Sequence, residues 1–261
     1  MKMDLFYRKV GQGAPLVVLH GVFGASENWL TIAKQLGEDF SVYLLDLRNH
    51  GRSPHSEEMT YPSMAEDVRA FLQGQKLEGA AVMGHSMGGK VAMWLALHRA
   101  DLISRLVVVD IAPKKYAAFH PAILQALLQL DVARIRRREE ADAFLAQYIP
   151  ETRIRRFLLK NLVRERHKRF NWRIHLQAIV QNLPHILDWP EQPGKFQKPT
   201  LFVRGENSDY IQSEDFGCIR EQFPRAYFVT IHRATHWVHA DQPEVFTQAV
   251  RYFLKATDPG K

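Results

Sequence analysis

Four short runs, residues 15–20, 41–46, 80–83 and 105–111, look apolar on both faces, and stretches of helical periodicity separate them. A strand with one wet face alternates polar and apolar side chains, whereas a strand apolar on both faces needs cover on both sides. Strands that alternate with helices take that cover from the helices, so the pattern points to an α/β fold with a mostly parallel sheet flanked by helices. The run Arg105-Leu106-Val107-Val108-Val109-Asp110-Ile111 is the most β-branched of the four. Residues 4–10 read as an edge strand, and Gly11-Gln12-Gly13 as the turn that follows it. Helices are expected over 26–36, with Ser26 as N-cap, and over 62–73 and 87–99.

The alternation stops at Pro113. Between there and Gly194 no convincing strand is found, and helical stretches are expected over 121–130, 139–148, 152–163 and 172–187. The rhythm then resumes with strands at 199–204 and 226–231 and helices at 213–222 and 243–254, while residues 255–261 should fray. The expected organisation is therefore one core made of residues 1–112 and 195–261, interrupted by a helical insertion over 113–194.

Composition bounds the function classes. With 46% hydrophobic residues the chain can bury a sizeable core, and disorder is excluded as the dominant state. Cys218 is the single cysteine, so no internal disulfide can form, which suits a reducing compartment. No run approaches the roughly 18 apolar residues of a membrane span, and residues 1–10 lack the apolar stretch of a signal peptide. A soluble, cytoplasmic protein is expected. The formal charge of +7 is localised: residues 131–173 hold 13 Lys and Arg against six Asp and Glu, and the rest of the chain sums to zero. Such a segment is read either as the solvated faces of amphipathic helices or as an attractor for a phosphorylated or carboxylated ligand. No nucleic-acid motif accompanies it, so a nucleic-acid partner is not expected.

Gly84-His85-Ser86-Met87-Gly88 fits the G-x-S-x-G pattern of a nucleophile elbow, and its context strengthens the match. A strand precedes it and a helix begins at Met87, so the turn must be tight and the serine strained. Glycines on both sides leave room for the crossing backbones. A serine hydroxyl is a poor nucleophile at neutral pH and needs a base. His236 follows the last expected strand and precedes the final helix, where the base belongs in the order serine, acid, histidine. His232 and His239 are its neighbours and rivals. Three clustered histidines also raise a metal site, but they fall on a strand end, a loop and a helix approach, and no carboxylate or cysteine motif completes a tetrahedral set. No metal and no other cofactor is expected.

Two carboxylates compete for the third position. Asp110 ends an apolar strand directly after the serine helix; Asp209 lies in Arg204-Gly205-Glu206-Asn207-Ser208-Asp209, just past the next core strand. Either could orient the imidazole and stabilise its charged form. Asp110 is favoured, Asp209 is the alternative acid, and Ser208 could support the histidine or the acid as a fourth member. In His20-Gly21-Val22-Phe23-Gly24 the glycines let the backbone come close to the serine. The N–H groups of Val22 and Met87 are then the candidate oxyanion hole, and His20 reads as a prop for the loop.

With these pieces in place, the chain resembles the α/β-hydrolase superfamily and, within it, the YbfF-type bacterial serine esterases and their eukaryotic relatives. The residues that carry the resemblance are His20-Gly21-Val22-Phe23-Gly24, Asp46-Leu47-Arg48-Asn49-His50-Gly51-Arg52-Ser53, Gly84-His85-Ser86-Met87-Gly88-Gly89-Lys90, Val109-Asp110-Ile111-Ala112-Pro113 and His236-Trp237-Val238-His239-Ala240. It implies a Ser-His-Asp esterase with a helical cap inserted after the sixth strand, favours Asp110 as the acid, and gives residues 48–53 a loop-shaping role. Acyl-CoA thioesters are a substrate class linked to such relatives, and a basic cap would suit their phosphates. The expected partner is a small-molecule acyl ester or thioester, with Phe119, Leu127, Leu130, Leu158 and Trp172 as candidate pocket lining. A C–C bond hydrolase or lyase on the same triad, and a non-catalytic binding protein, are the rival readings.

Overall fold

The computed structural model describes residues 3–117, 121–164, 169–190 and 194–256. The first half alternates as expected: β1 (Tyr7–Val10), β2 (Ala14–Leu19), α1 (Leu30–Leu36), β3 (Phe40–Leu45), α2 (Tyr61–Gly74), β4 (Ala80–His85), α3 (Met87–His98) and β5 (Ile103–Val109). Helix α2 starts where the local chemistry says it should. The Thr60 side chain accepts from the Ser63 amide, Ser63 reaches back to Thr60, and Pro62 sits in the first turn. From Val109 the chain leaves the sheet. This excursion contains α4 (Pro121–Gln129), α5 (Arg138–Ala146), α6 (Thr152–Leu159), β6 (Leu162–Arg164), β7 (Phe170–Trp172), α7 (Leu176–Gln181) and α8 (Leu183–Leu187). The sheet resumes with β8 (Thr200–Gly205), then α9 (Asp215–Gln222), β9 (Ala226–Ile231), α10 (Val238–Asp241) and α11 (Pro243–Lys255).

Among the described residues, seven strands form one sheet in the order β1-β3-β2-β4-β5-β8-β9. β1 pairs antiparallel with β3, and every other pair in this sheet is parallel. The doubly apolar strands are explained by what covers them. Leu16 and Val18 face a layer containing Leu36 of α1 and Val250 of α11, while Val17 and Leu19 face Val68 of α2 and Val91 of α3. Burying each such side chain stabilises by about 1.5–3 kcal/mol. The parallel strands all end at one edge, and in α/β sheets that carboxyl edge is where ligands bind.

Three expectations are corrected. The excursion is not all-helical, because β6 and β7 form an antiparallel hairpin with Leu162 opposite Trp172. Residues 162–163 and 172, read as ends of helices, are strand instead. The Arg173 amide bonds to the Asn161 carbonyl at 2.8 Å, which closes the hairpin where α6 would otherwise continue. The long helix expected over 172–187 is broken as well. The His175 ring caps α7 through the Ala178 amide at 3.2 Å, and Pro184, which has no N–H to donate, opens α8. The excursion also follows the fifth strand in chain order rather than the sixth, since only β1 to β5 precede it among the described residues. Residues 257–261, expected to fray, lie outside the described residues.

Three arginines of the basic segment are engaged within the molecule. Arg138 donates to the carbonyls of Leu159 and Leu162 at 2.6 and 2.7 Å. Arg155 pairs with Asp142 at 2.9 Å and donates to the carbonyls of Ile149 and Pro150. Arg173 pairs with Glu27 at 3.1 Å and donates to the Lys160 carbonyl. Among the described residues no helix is long and apolar enough to cross a membrane.

Candidate active site

Ser86 sits at the junction of β4 and α3 with φ +52° and ψ −121°, a conformation costing on the order of 1–3 kcal/mol. Neighbours hold it there. Its amide donates to the Val109 carbonyl at 3.0 Å, and its carbonyl accepts from the Lys90 amide at 3.1 Å. The bend needs the flanking glycines, because a Cβ at Gly84 would lie 2.1 Å from the Gly88 oxygen and one at Gly88 would lie 2.5 Å from the His20 oxygen. The side chain of Ser86 is left facing a cavity that His236 also lines.

His236 lies on the loop between β9 and α10. Asp110 follows β5 directly, at φ +50° and fully buried, and its Oδ2 is 2.8 Å from His236 Nδ1. With Nδ1–H donating to the carboxylate, Nε2 is left as the acceptor. Asp110 Oδ1 accepts from the Gly205 amide at 3.0 Å, and the Ser208 hydroxyl donates to Oδ2. Asp209 is exposed and its Oδ1 accepts from Gln212 Nε2 at 3.3 Å. The two carboxylates left open by the sequence thus occupy different settings, and Asp110 is the one beside the imidazole. His232 is exposed and pairs with Glu206 at 2.7 Å. His239 is buried and stacked on Trp29 at 4.0 Å, where burial pushes its pKa down to about 3. Among the described residues no three His, Cys, Asp or Glu side chains are grouped to hold a metal ion.

Several supports of the imidazole were not foreseen. Tyr210 stacks on the His236 ring at 3.8 Å. His85 Nε2 donates to the His236 carbonyl at 2.9 Å, and burial keeps the His85 ring neutral by holding its pKa well below the usual value. Thr235, next in sequence, gives both its amide and its hydroxyl to Asp241 at 2.7 and 2.6 Å. His85 stands at the unspecified position of the elbow motif, which was the available signal. Tyr210 lies one residue past the weighed Ser208-Asp209 pair.

The loop after β2 runs alongside the serine, since a Cβ on Gly21 would lie 3.2 Å from Ser86 Cβ. It is a β-turn closed by the Gly24 amide on the Gly21 carbonyl at 3.0 Å, with Phe23 at φ +61°. His20 Nδ1 donates to the Gly21 carbonyl at 2.8 Å, while its Nε2 accepts from the Leu47 amide at 3.0 Å. His50 Nε2 accepts from the Phe23 amide at 3.1 Å. Burial lowers both imidazole pKa values, that of His50 to about 3, so both stay neutral and can accept. Residues 46–53 form the scaffold behind this loop. Arg48, 1% exposed, pairs with Asp67 at 2.7 Å and donates to the carbonyls of Glu58 and Ser63. Asp46 accepts from the amides of Ser26 and Arg52. Val22 and Met87 both line the cavity beside Ser86.

That cavity measures about 770 Å³ and is bounded by the sheet edge and by the excursion. Its wall is mainly apolar, with Val22, Phe23, Ile111, Ile154, Phe157 and Trp237 among its members. Of the side chains expected to line it, Leu158 does. Leu127, Leu130 and Trp172 border a separate depression of about 400 Å³ instead, and Phe119 lies outside the described residues. The break at the hairpin explains the misplacement of Trp172, which belongs to β7 rather than to a helix over the site.

The chain is similar to known proteins over most of its length. A family model described as the alpha/beta hydrolase fold matches residues 14–243. The chain is 41% identical over 261 residues to a protein of Danio rerio named sn-1-specific diacylglycerol lipase ABHD11, covering 97% of this chain and 81% of that one. It is 36% identical over 242 residues to Esterase YbfF of Escherichia coli (strain K12), covering 92% and 93%. A solved structure titled Marine microorganism esterase superposes with a TM-score of 0.94 at 42% identity, covering 97% of this chain and all of that one.

Proposed function

The chain belongs to the α/β-hydrolase fold family, and from that premise we propose that it is a serine hydrolase cleaving carboxylic esters through an acyl-enzyme. The observation that carries the reading is the pairing of His236 Nδ1 with the buried Asp110 beside a strained serine in one cavity. Ser86 Oγ attacks the acyl carbon while His236 Nε2 takes its proton. The oxyanion sits on the Val22 and Met87 amides at the N-terminus of α3, and Asp110 stabilises the imidazolium. His236 then protonates the departing alkoxide, leaving the acyl group on Ser86. A water gives its proton to His236 and its oxygen to the acyl carbon; the carboxylic acid leaves as Ser86 is reprotonated.

Residues 113–194 act as a cap over a core of residues 1–112 and 195–261, since Ile154, Phe157 and Leu158 of α6 close one side of the cavity. An apolar wall and a volume typical of small-molecule sites favour a neutral ester with an apolar acyl chain. The relatives' names, diacylglycerol lipase and esterase, point the same way. An acyl-CoA thioester would follow the same steps, but Arg138, Arg155 and Arg173 of the basic segment are engaged within the protein rather than free to meet its phosphates. The test is turnover of p-nitrophenyl esters of increasing chain length alongside the matching CoA thioesters. We expect ester hydrolysis that improves with chain length and outpaces thioester hydrolysis. No turnover of any ester would overturn the proposal, and a preference for a C–C substrate would shift it to that chemistry.

A further inference from the structure

The excursion does more than roof the cavity. We infer that Asn161, on the bend between α6 and β6, is a positioning residue that sets the oxyanion-binding amide of Val22; the inference rests on the reading above. Val22 N–H belongs to the same planar peptide unit as the Gly21 carbonyl, so whatever fixes that oxygen aims the N–H. Two donors fix it, His20 Nδ1 at 2.8 Å and the Gly24 amide at 3.0 Å. The second exists only while the turn over residues 21–24 keeps its shape, and that shape places Phe23 at φ +61°. Glycine is the usual occupant of such a position, and a bulky residue stays there only if held.

Both peptide units flanking Phe23 are held. His50, from the core, accepts from its amide at 3.1 Å, and Asn161 Nδ2 donates to its carbonyl at 2.8 Å. Asn161 is 3% exposed, and its own backbone is committed: its amide donates to the Leu158 carbonyl at 3.0 Å and its carbonyl accepts from the Arg173 amide at 2.8 Å. The hairpin behind it is docked on the core by Arg173 with Glu27 at 3.1 Å and by the His175 amide on the Asn49 carbonyl at 2.9 Å. An oxyanion donor must be placed to within a few tenths of an ångström to act. Releasing the Phe23 carbonyl frees the Phe23–Gly24 peptide unit to turn, and that unit carries the Gly24 N–H whose bond aims Val22.

The test replaces Asn161 with leucine, which keeps the shape and removes the donor, with Asn161→Ala as a second variant should the first fail to fold. Three readouts are compared with wild type: kcat and KM on p-nitrophenyl butyrate, inhibition by the matching trifluoromethyl ketone, and inhibition by the matching alkyl ether. The ketone forms a hemiketal oxyanion on the serine, and the ether has no carbonyl to bind. We expect kcat to fall about tenfold or more with KM within about twofold. The ketone's Ki should rise by the factor that kcat/KM falls, and the ether's Ki should not change. Wild-type values throughout, or equal weakening of ketone and ether, would overturn the inference. A wild-type enzyme inert to both the ester and the ketone would instead sink the proposed function.

Discussion

Lys90 Nζ, one turn below Ser86 on α3, donates to the carbonyl oxygen of Asp188 at 2.9 Å and to that of Leu187 at 3.1 Å, just where α8 ends. The side chain is 1% exposed, and burial lowers its pKa to about 7 from an ordinary value of 10.5. Between those values the unfolded chain binds the proton and the folded one does not, so stability rises with pH across that window; below about 7 the cost of burying the charge is fully present. Chemical denaturation from pH 7 to 10 should show wild type gaining on the order of 1 kcal/mol per pH unit relative to Lys90→Gln, which keeps a donor but does not titrate. Parallel pH profiles for the two proteins would contradict this.

Asp110→Asn should lower kcat by roughly 10³–10⁴-fold, because the neutral amide no longer holds the Nδ1–H tautomer of His236 or stabilises its charge. Asp209→Asn should stay within about twofold, since Asp209 is exposed and bonded to Gln212. Steady-state kinetics on one ester decide it, and a larger loss for Asp209→Asn would reverse the assignment of the acid.

Ionic strength separates the two uses of the basic segment. With Arg138, Arg155 and Arg173 bound to carbonyls and carboxylates, kcat/KM for a neutral ester should not change between about 50 and 500 mM salt, and that for an acyl-CoA should fall less than about threefold. A fall of about tenfold confined to the CoA substrate would show that the segment recruits its phosphates.

The elbow has no room for a side chain at Gly84, where a Cβ would meet the Gly88 carbonyl oxygen at 2.1 Å. Gly84→Ala should therefore cost about 3 kcal/mol or more of stability, because the clash is with backbone that cannot rotate away. Thermal unfolding checks it, and an unchanged midpoint would mean that the elbow is less rigid than drawn.

Most of the core was legible because its strands are apolar on both faces and alternate with helices, which then cover both. That Ser86 and His236 line one cavity was legible from a local motif and from their places after strands. The choice of Asp110 over Asp209 was less so, since each follows a strand and the decision depends on a 2.8 Å contact between residues 126 apart in sequence. The excursion was the least legible part. Leu162-Val163 and Trp172 continue helical periodicity on paper, yet pair as strands once residues 161 and 173 meet. For the same reason the contacts of Asn161 with Phe23 and of Lys90 with α8 had no sequence signal: each joins a core loop or helix to a distant part of the excursion.

Replacing the serine is the most direct measurement. Ser86→Ala, shown by circular dichroism and thermal unfolding to keep its fold, should lose ester hydrolysis by about 10⁴-fold or more. A folded variant that turns over ester within about tenfold of wild type would place the chemistry elsewhere and contradict the account.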